Sequence, residues 1–271
     1  MGVLNVTPDS FSDGGQFFSL EGAVAHAQQM ANEGADLIDV GGESTRPGSE
    51  PVSDTEEMRR VIPVIKELVA KVTVPISIDT TKSSVARAAM EAGVEIVNDI
   101  SGLRFDPQIA DEVANAKAGL ILMHSRGTPK TMQQLAPVEN IMKEVIDSLR
   151  ESISLARRRG VASQNIAIDP GIGFGKTAEQ NLGLIANLEQ LARELSGFPI
   201  AIGTSRKSFI GKLLHNVPAD QRLYGTIASV VVAVMNGAHI VRVHDVKAGV
   251  EAVRIADAIR RTKSGVRFSA G

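Results

Sequence analysis

Short apolar runs that each stop at a polar residue recur along the chain, and between them the apolar positions fall three and four apart. The first pattern is that of a buried strand handing its last side chain to a loop, the second that of a helix with one apolar face. Val3 to Val6 reads as a strand, and the polar loop from Thr7 to Gly15 carries a proline and a glycine pair that no regular element tolerates. Leu20, Ala23, Val24, Ala27 and Met30 share a helical face, with Gly34 where a C-terminal cap belongs. Asp36 to Val40 is the second strand and runs into a glycine-rich loop from Gly41 to Gly48. The next helix carries Met58, Val61, Ile62, Ile65 and Leu68, with Asp54 as its N-cap and Pro63 arguing against a straight course.

Strands three to five read as Ile76 to Asp79, Glu95 to Asp99 and Gly119 to His124, separated by helices over 84–92 and 106–116. A longer helix on Ile141, Val145, Leu149 and Ile153 closes at Gly160, and strand six, Ile166 to Asp169, follows it. Leu184, Leu188, Leu191 and Leu195 form another stripe before strand seven, Pro199 to Gly203. The valine-rich run 227–235 suits a strand or a buried helix, and helix is preferred because one more strand would break the alternation. His239 to His244 is strand eight, and Val246, Val250, Val253 and Ile259 line a last helix. Eight strands alternating with helices predict an α/β fold, a single (β/α)8 TIM barrel over residues 1–271 with long loops after strands one and two. No linker or charge block marks a second domain. An open doubly wound sheet is the alternative, although its glycine motif would more often follow strand one.

Composition narrows the function more than the fold. A formal charge of -2 gives no long-range pull on nucleic acid or on an acidic membrane, so an anionic ligand must be caught locally. The absence of Cys excludes disulfides, thiolate nucleophiles and Cys-ligated zinc, and suits a reducing cytoplasm. The N-terminus has no signal-peptide pattern, and Val6 stands where a myristoylation motif needs Ser or Thr. The longest apolar run, Ile227 to Met235, is interrupted by Ser229 and too short to span a bilayer. A soluble cytoplasmic protein is expected, with no nucleic acid or membrane partner.

Such barrels place their chemistry at the C-terminal ends of the strands. Those ends here are Asn5, Asp39, Asp79, Asn98, His124, Asp169, then Ser205, Arg206 and Lys207, then Arg242 and His244. Any one could be a helix cap or turn residue, but carboxylates, an amide and cations converging on one mouth compensate one another's charge. Asp169-Pro170-Gly171 alone is a turn. The glycines at 171, 173 and 175 let backbone approach a ligand, yet Pro170 breaks a Walker loop and Lys176 a dinucleotide fingerprint, which sets aside ATP and NAD. Lys207 and Ser208 precede a helical segment, where an anion would be favoured; a solvated basic cap is the plainer reading. Arg242 and His244 lie on the same side of a strand, which suits a dianion such as pyrophosphate, unless His244 simply pairs with Asp245. His26, His215 and His239 read as surface or packing residues, and no spacing resembles a zinc site. Mg²⁺ could be held by Asn5, by Asp9 or Asp13, and by substrate phosphates.

Several ordered motifs resemble those of the dihydropteroate synthase family over nearly the whole chain. They are Gly2 to Gly15, Asp39 to Gly48, Ser77 to Thr80, Asn98 to Ile100, Asp169 to Lys176, Ser205 to Ser208 and Arg242 to Asp245. The resemblance implies condensation of 6-hydroxymethyl-7,8-dihydropterin diphosphate with 4-aminobenzoate, releasing pyrophosphate. It implies a catalytic set of Asp79, Lys207, Asp169 and Asn98, with Asp169 taking two parallel hydrogen bonds from the pterin edge, Asp79, Asn98, Ile100 and Lys207 around the ring, and Met123 on its face. By the same likeness Asn5, Thr45, Arg46, Arg242 and His244 hold the diphosphate, with Mg²⁺ at Asn5. The 4-aminobenzoate lies between Phe11, Pro47 and Phe174, contacts Lys207 and Ser208, and sets its carboxylate at Ser208. Asp79 would stabilise the methylene cation as diphosphate leaves, under closed loops one and two.

Family members usually carry a short segment before the first strand, whereas Met1 here opens directly into it, which bears on stability more than on the site. The second loop keeps the pattern of sulfonamide-sensitive relatives, so sulfonamides are expected to compete with 4-aminobenzoate. A homodimer through the late helices is expected by likeness. The alternatives are a folate-dependent methyltransferase, a non-catalytic pterin-binding paralogue and, more remotely, a Schiff-base aldolase using Lys207.

Overall fold

The computed structural model describes residues 1–7, 20–46, 48–135 and 137–263. Six strands, β1 (Gly2–Asn5), β2 (Ile38–Gly41), β3 (Ile76–Asp79), β4 (Ile96–Asp99), β5 (Gly119–Met123) and β6 (Ile166–Asp169), pair in parallel in that order. Two short strands, β7 (Ala201–Ile202) and β8 (Ile240–Val241), pair with each other. Single bridges join the two sheets at both seams, Ile168 with Ile200 and Gly2 with Val243. At the second seam the Val3 amide donates to the Val243 carbonyl and the Val243 amide to the Met1 carbonyl, each at 3.0 Å. The ring is therefore closed, as the alternation predicts, and the open-sheet alternative falls away.

Around the ring lie α1 (Leu20–Asn32), α2 (Asp54–Lys71), α3 (Ser83–Glu91), α4 (Ile109–Ala116), α5 (Ile141–Arg158), α6 (Ala178–Ala186), α7 (Leu188–Glu194), α8 (Ser208–Leu213), α9 (Leu223–Met235) and α10 (Val246–Lys263). The run 227–235 is helical, within α9. Pro63 sits inside α2 without ending it, because the buried stripe Val61, Val64, Ile65 and Leu68 anchors the helix on both sides of the lost hydrogen bond. Its N-cap is Ser53 rather than Asp54: Ser53 is extended, at φ -68° and ψ 156°, and its hydroxyl accepts from the Glu56 amide at 3.2 Å. The fourth helix begins at Ile109 rather than Asp106, whose carboxylate instead accepts from the Ser83 and Gln108 amides. The last two strands are shorter than the apolar runs that announce them.

Strand alternation sorts the side chains into two shells. Ile38, Ile78, Val97, Leu122 and Ile168 face the helices and join the large core. The alternate positions face the barrel axis. At its lower end these are Leu37, Ile121 and Ala201, which pack with Met1, Ile96, Ala167 and Ile240. Two residues further along the strands the same inward positions are Asp39, Asn98, Met123, Asp169 and Arg242. A floor of aliphatic side chains thus carries a layer of polar ones.

Candidate active site

Asp39, within β2, and Asp79, at the end of β3, grip one guanidinium. Arg242 donates from Nε to Asp39 Oδ2 at 2.7 Å and from Nη2 to Asp79 Oδ2 at 2.9 Å. Asp39 also accepts from Ser77 Oγ at 2.6 Å and from Asn98 Nδ2 at 3.1 Å. The pairing with Arg242 does not keep Asp79 in the usual carboxylate range. Burial is the larger influence and pushes its pKa up to about 7, with the Arg242 charge opposing and the Asp39 charge adding to the rise.

Asp169 closes β6 and is also buried, with Oδ1 accepting from the Gly171 amide at 2.6 Å. Burial raises its pKa to about 6, against the pull of the Gly171 amide and of Lys207. Lys207 stands at the entry of α8 with its ammonium 4.2 Å from the centre of the Phe174 ring. Burial and the nearby Arg242 lower its pKa to about 8. Ile100, Met123, Met132 and Phe174 form a separate buried apolar cluster at the same end of the barrel. Two carboxylates, two cations and an apolar slot are the elements needed to hold a flat heterocycle by its edge and its face.

The loop after β6 is pressed against the loop after β5. A Cβ on Gly171, at φ 69°, would lie 1.8 Å from the His124 carbonyl oxygen, and one on Gly175, also at φ 69°, would lie 2.6 Å from that of Arg126. Only glycine fits such a contact. The Lys176 ammonium ties the seam by donating to the Gly171, Phe174 and His124 carbonyls at 2.7, 3.2 and 3.3 Å. Its pKa is lowered to about 7 by burial, against the pull of Asp169. The His124 side chain is buried, 3.6 Å from Glu144, and held neutral by burial and the surrounding cations.

Beside this centre a cavity of about 570 Å³ is lined by Asn5, Arg46, Arg206, His244 and Lys247 among others. It gathers three of the residues expected to hold diphosphate, while Arg242 stands deeper and Thr45 is half-buried in the second loop. Arg206 was not foreseen there. It forms a two-pronged pair with Asp245, through Nε at 3.1 Å and Nη2 at 2.6 Å, so Asp245 serves Arg206 rather than His244. His244 instead meets Ser205 Oγ at 3.0 Å and is kept neutral by burial and by Arg242, its pKa lowered to about 3. His239 packs at the base, its Nδ1 accepting from the Ile200 amide. Ser208 is exposed at the first turn of α8. Phe11 and Pro47, expected against 4-aminobenzoate, and Asp9 and Asp13, considered for Mg²⁺, lie outside the described residues.

The second loop is moored by a group that the sequence did not single out. Lys82 pairs with Glu43 of that loop and, at 2.6 Å, with Glu57 of α2, and Arg60 Nη1 donates to the Gly42 carbonyl at 2.9 Å. Met132 was also unforeseen, because it lies in a single turn after β5 with no periodic pattern around it.

The family of pterin binding enzymes matches residues 1–244. A dihydropteroate synthase of Synechocystis sp. is 50% identical over 261 residues, covering 96% of this chain and 90% of the relative. The structure of the Clostridium difficile dihydropteroate synthase in the presence of pteroic acid superposes with a TM-score of 0.89 at 47% identity, covering 96% of this chain and 95% of that one. The Yersinia pestis dihydropteroate synthase in complex with a sulfonamide drug gives a TM-score of 0.90 at 44% identity, over 97% and 93% of the two chains. The chain belongs to the pterin-binding enzyme family, in its dihydropteroate synthase branch.

Proposed function

We propose that the mouth of the barrel condenses 6-hydroxymethyl-7,8-dihydropterin diphosphate with 4-aminobenzoate, and that the strand-end residues divide the work. The observation that carries this division is the pair of buried carboxylates, Asp79 and Asp169, set with Lys207 and Arg242 around the slot of Ile100, Met123, Met132 and Phe174. Asp169 spends one oxygen on the Gly171 amide and has the other for the amide and amino edge of a pterin. Asn98 and Lys207 flank that edge, and the apolar cluster covers the ring face.

The diphosphate is read into the neighbouring cavity, on Asn5, Arg46 and His244 of its lining, with Arg242 and Thr45 as the further expected partners. As the bond between the methylene carbon and the diphosphate oxygen breaks, the electron pair leaves with pyrophosphate. The methylene becomes cationic and ionised Asp79 stabilises it. The arylamine nitrogen then donates its lone pair to form the C–N bond and gives up a proton. Phe11, Pro47, Phe174, Lys207 and Ser208 remain the expected surroundings of 4-aminobenzoate.

Mg²⁺ suits the diphosphate end as an ion brought in by the substrate. Asn5 offers one neutral amide oxygen, and among the described residues no group of three or more His, Asp or Glu could hold an ion alone. Phosphate oxygens and water complete such a shell, and the ion would neutralise charge on the leaving group. Two copies of the chain pair through α9 and α10, where Tyr224, Val232, Ile255 and Ile259 are exposed; sedimentation at micromolar concentration tests this.

The deciding assay is pyrophosphate release from the pterin diphosphate with Mg²⁺, with and without 4-aminobenzoate. Release that requires the arylamine is expected; tight pterin binding without turnover would overturn the reading in favour of a non-catalytic relative. A sulfonamide is expected to raise the KM for 4-aminobenzoate without lowering kcat, and inhibition insensitive to 4-aminobenzoate would remove its carboxylate site from the slot.

A further inference from the structure

Asp79 and Asp169 keep 8% and 7% of their surface exposed, whereas Asp39 is 0% exposed. Its hydrogen bonds draw in side chains from three other strands or their ends, β3, β4 and β8. Oδ1 accepts from Ser77 Oγ at 2.6 Å, while Oδ2 accepts from Asn98 Nδ2 at 3.1 Å and from Arg242 Nε at 2.7 Å. With that set Asp39 has no exposed surface left for a ligand. Its neighbours, by contrast, are the residues on which the proposed function relies.

We propose that Asp39 is a positioning residue that decides which atoms Asn98 and Arg242 turn toward the pterin diphosphate. An ionised carboxylate only accepts hydrogen bonds, so Asn98 must meet it with Nδ2. The amide is planar, and its Oδ1 is then directed away from Asp39 as an acceptor for an N–H group of the heterocycle. Arg242 spends the edge formed by Nε and Nη2 on Asp39 and Asp79, and its Nη1 edge is the one turned from both carboxylates. One buried charge thereby sets the polarity of an amide that reads the ring and the aim of a guanidinium that meets the diphosphate. An amide at position 39 could keep its oxygen in the place of Oδ2 by turning its nitrogen to the Ser77 hydroxyl, which can accept. Alanine removes the device: with both carboxylate oxygens gone, Asn98 and Arg242 lose the acceptor they share and are free to turn.

The proposal rests on the synthase reading above, and its test separates the two. Full-length Asp39→Ala is assayed beside the unsubstituted chain with each substrate varied in turn. The KM for the pterin diphosphate is expected to rise at least tenfold while that for 4-aminobenzoate stays within twofold, because both misdirected groups serve the first substrate. A role in folding alone would lower the melting temperature and leave the two KM values unchanged or shifted together, and either pattern overturns the proposal. Ser77→Ala carries the test if Asp39→Ala does not fold. It keeps both charges and removes one of the carboxylate's three side-chain bonds, so a KM rise of about threefold confined to the pterin diphosphate is expected, and unchanged constants overturn it. Failure of the unsubstituted chain to release pyrophosphate sinks the synthase reading, and this proposal with it.

Discussion

The floor and the mouth of the barrel are built by the same strands only two residues apart, yet they have opposite chemistry. Leu37, Ile96, Ala167 and Ile240 at the floor become Asp39, Asn98, Asp169 and Arg242 at the mouth. Burying the upper layer costs stability, as the raised carboxylate pKa values of Asp79 and Asp169 record. The lower layer and the outer core supply the packing that offsets it. Stability and chemistry are thus separated by one repeat of the pleat, and substitutions at the two levels should fail in different ways.

The sharpest break is Asp79→Asn. Loss of the carboxylate facing the developing cation is expected to lower kcat about 10²–10³-fold, measured by arylamine-dependent pyrophosphate release. Stability should move the other way. A carboxyl whose folded pKa is raised above its unfolded value favours folding fully below the unfolded value and loses that contribution as pH rises through the folded one. For Asp79 this window runs from the ordinary carboxylate range up to about 7, so the amide should melt higher than the parent at pH 8 and lose that advantage near pH 4. A lower melting point at pH 8 would mean that the Arg242 pairing outweighs burial.

At the floor, Ile121→Ala should do the reverse. Truncating this buried side chain is expected to cost about 2–4 kcal/mol in denaturant unfolding and to leave kcat per folded molecule within about twofold. A large loss of kcat with little loss of stability would show that the layers are coupled. pH sharpens the contrast further. With Asp79 ionised above about 7 and Lys207 charged below about 8, kcat/KM for the pterin diphosphate should trace a narrow bell between those values. In Asp79→Asn the acid limb should retreat toward the value of Asp169, about 6, and a limb that stays in place would assign it to another group. The smallest effect is expected outside both layers. Lys143→Ala breaks an exposed pair with Asp147 on α5 and should change stability by no more than about 0.5 kcal/mol, with unaltered rates.

The mouth was legible because each apolar run ends on the residue that the pleat then turns inward. Asp79, Asn98, Asp169 and Arg242 could all be picked out as strand ends. What separates Asp39 from Asp79 could not. Both end apolar runs, yet one is enclosed by Ser77, Asn98 and Arg242, which are distant along the chain, and the other is open to the slot. The mooring of loop two by Lys82 escaped for the same reason, since Glu43 and Glu57 reach it from separate elements. Local competition explains the misplaced cap on α2. Ser53 and Asp54 are both good caps, and only the backbone turn decides between them.

The seam of Gly171 and Gly175 against the carbonyls of the loop after β5 bears on how this enzyme could escape an inhibitor. A compound that gains its affinity from Asp169 and the backbone around it meets atoms whose positions are set by main chain against main chain. Side-chain replacement at either glycine would push the two loops apart and take Asp169 and Phe174 with them. Resistance by point mutation therefore has little room on that wall. It would have to arise away from that seam, for example in the second loop, where Arg46 is exposed and no glycine contact of this kind holds the side chain.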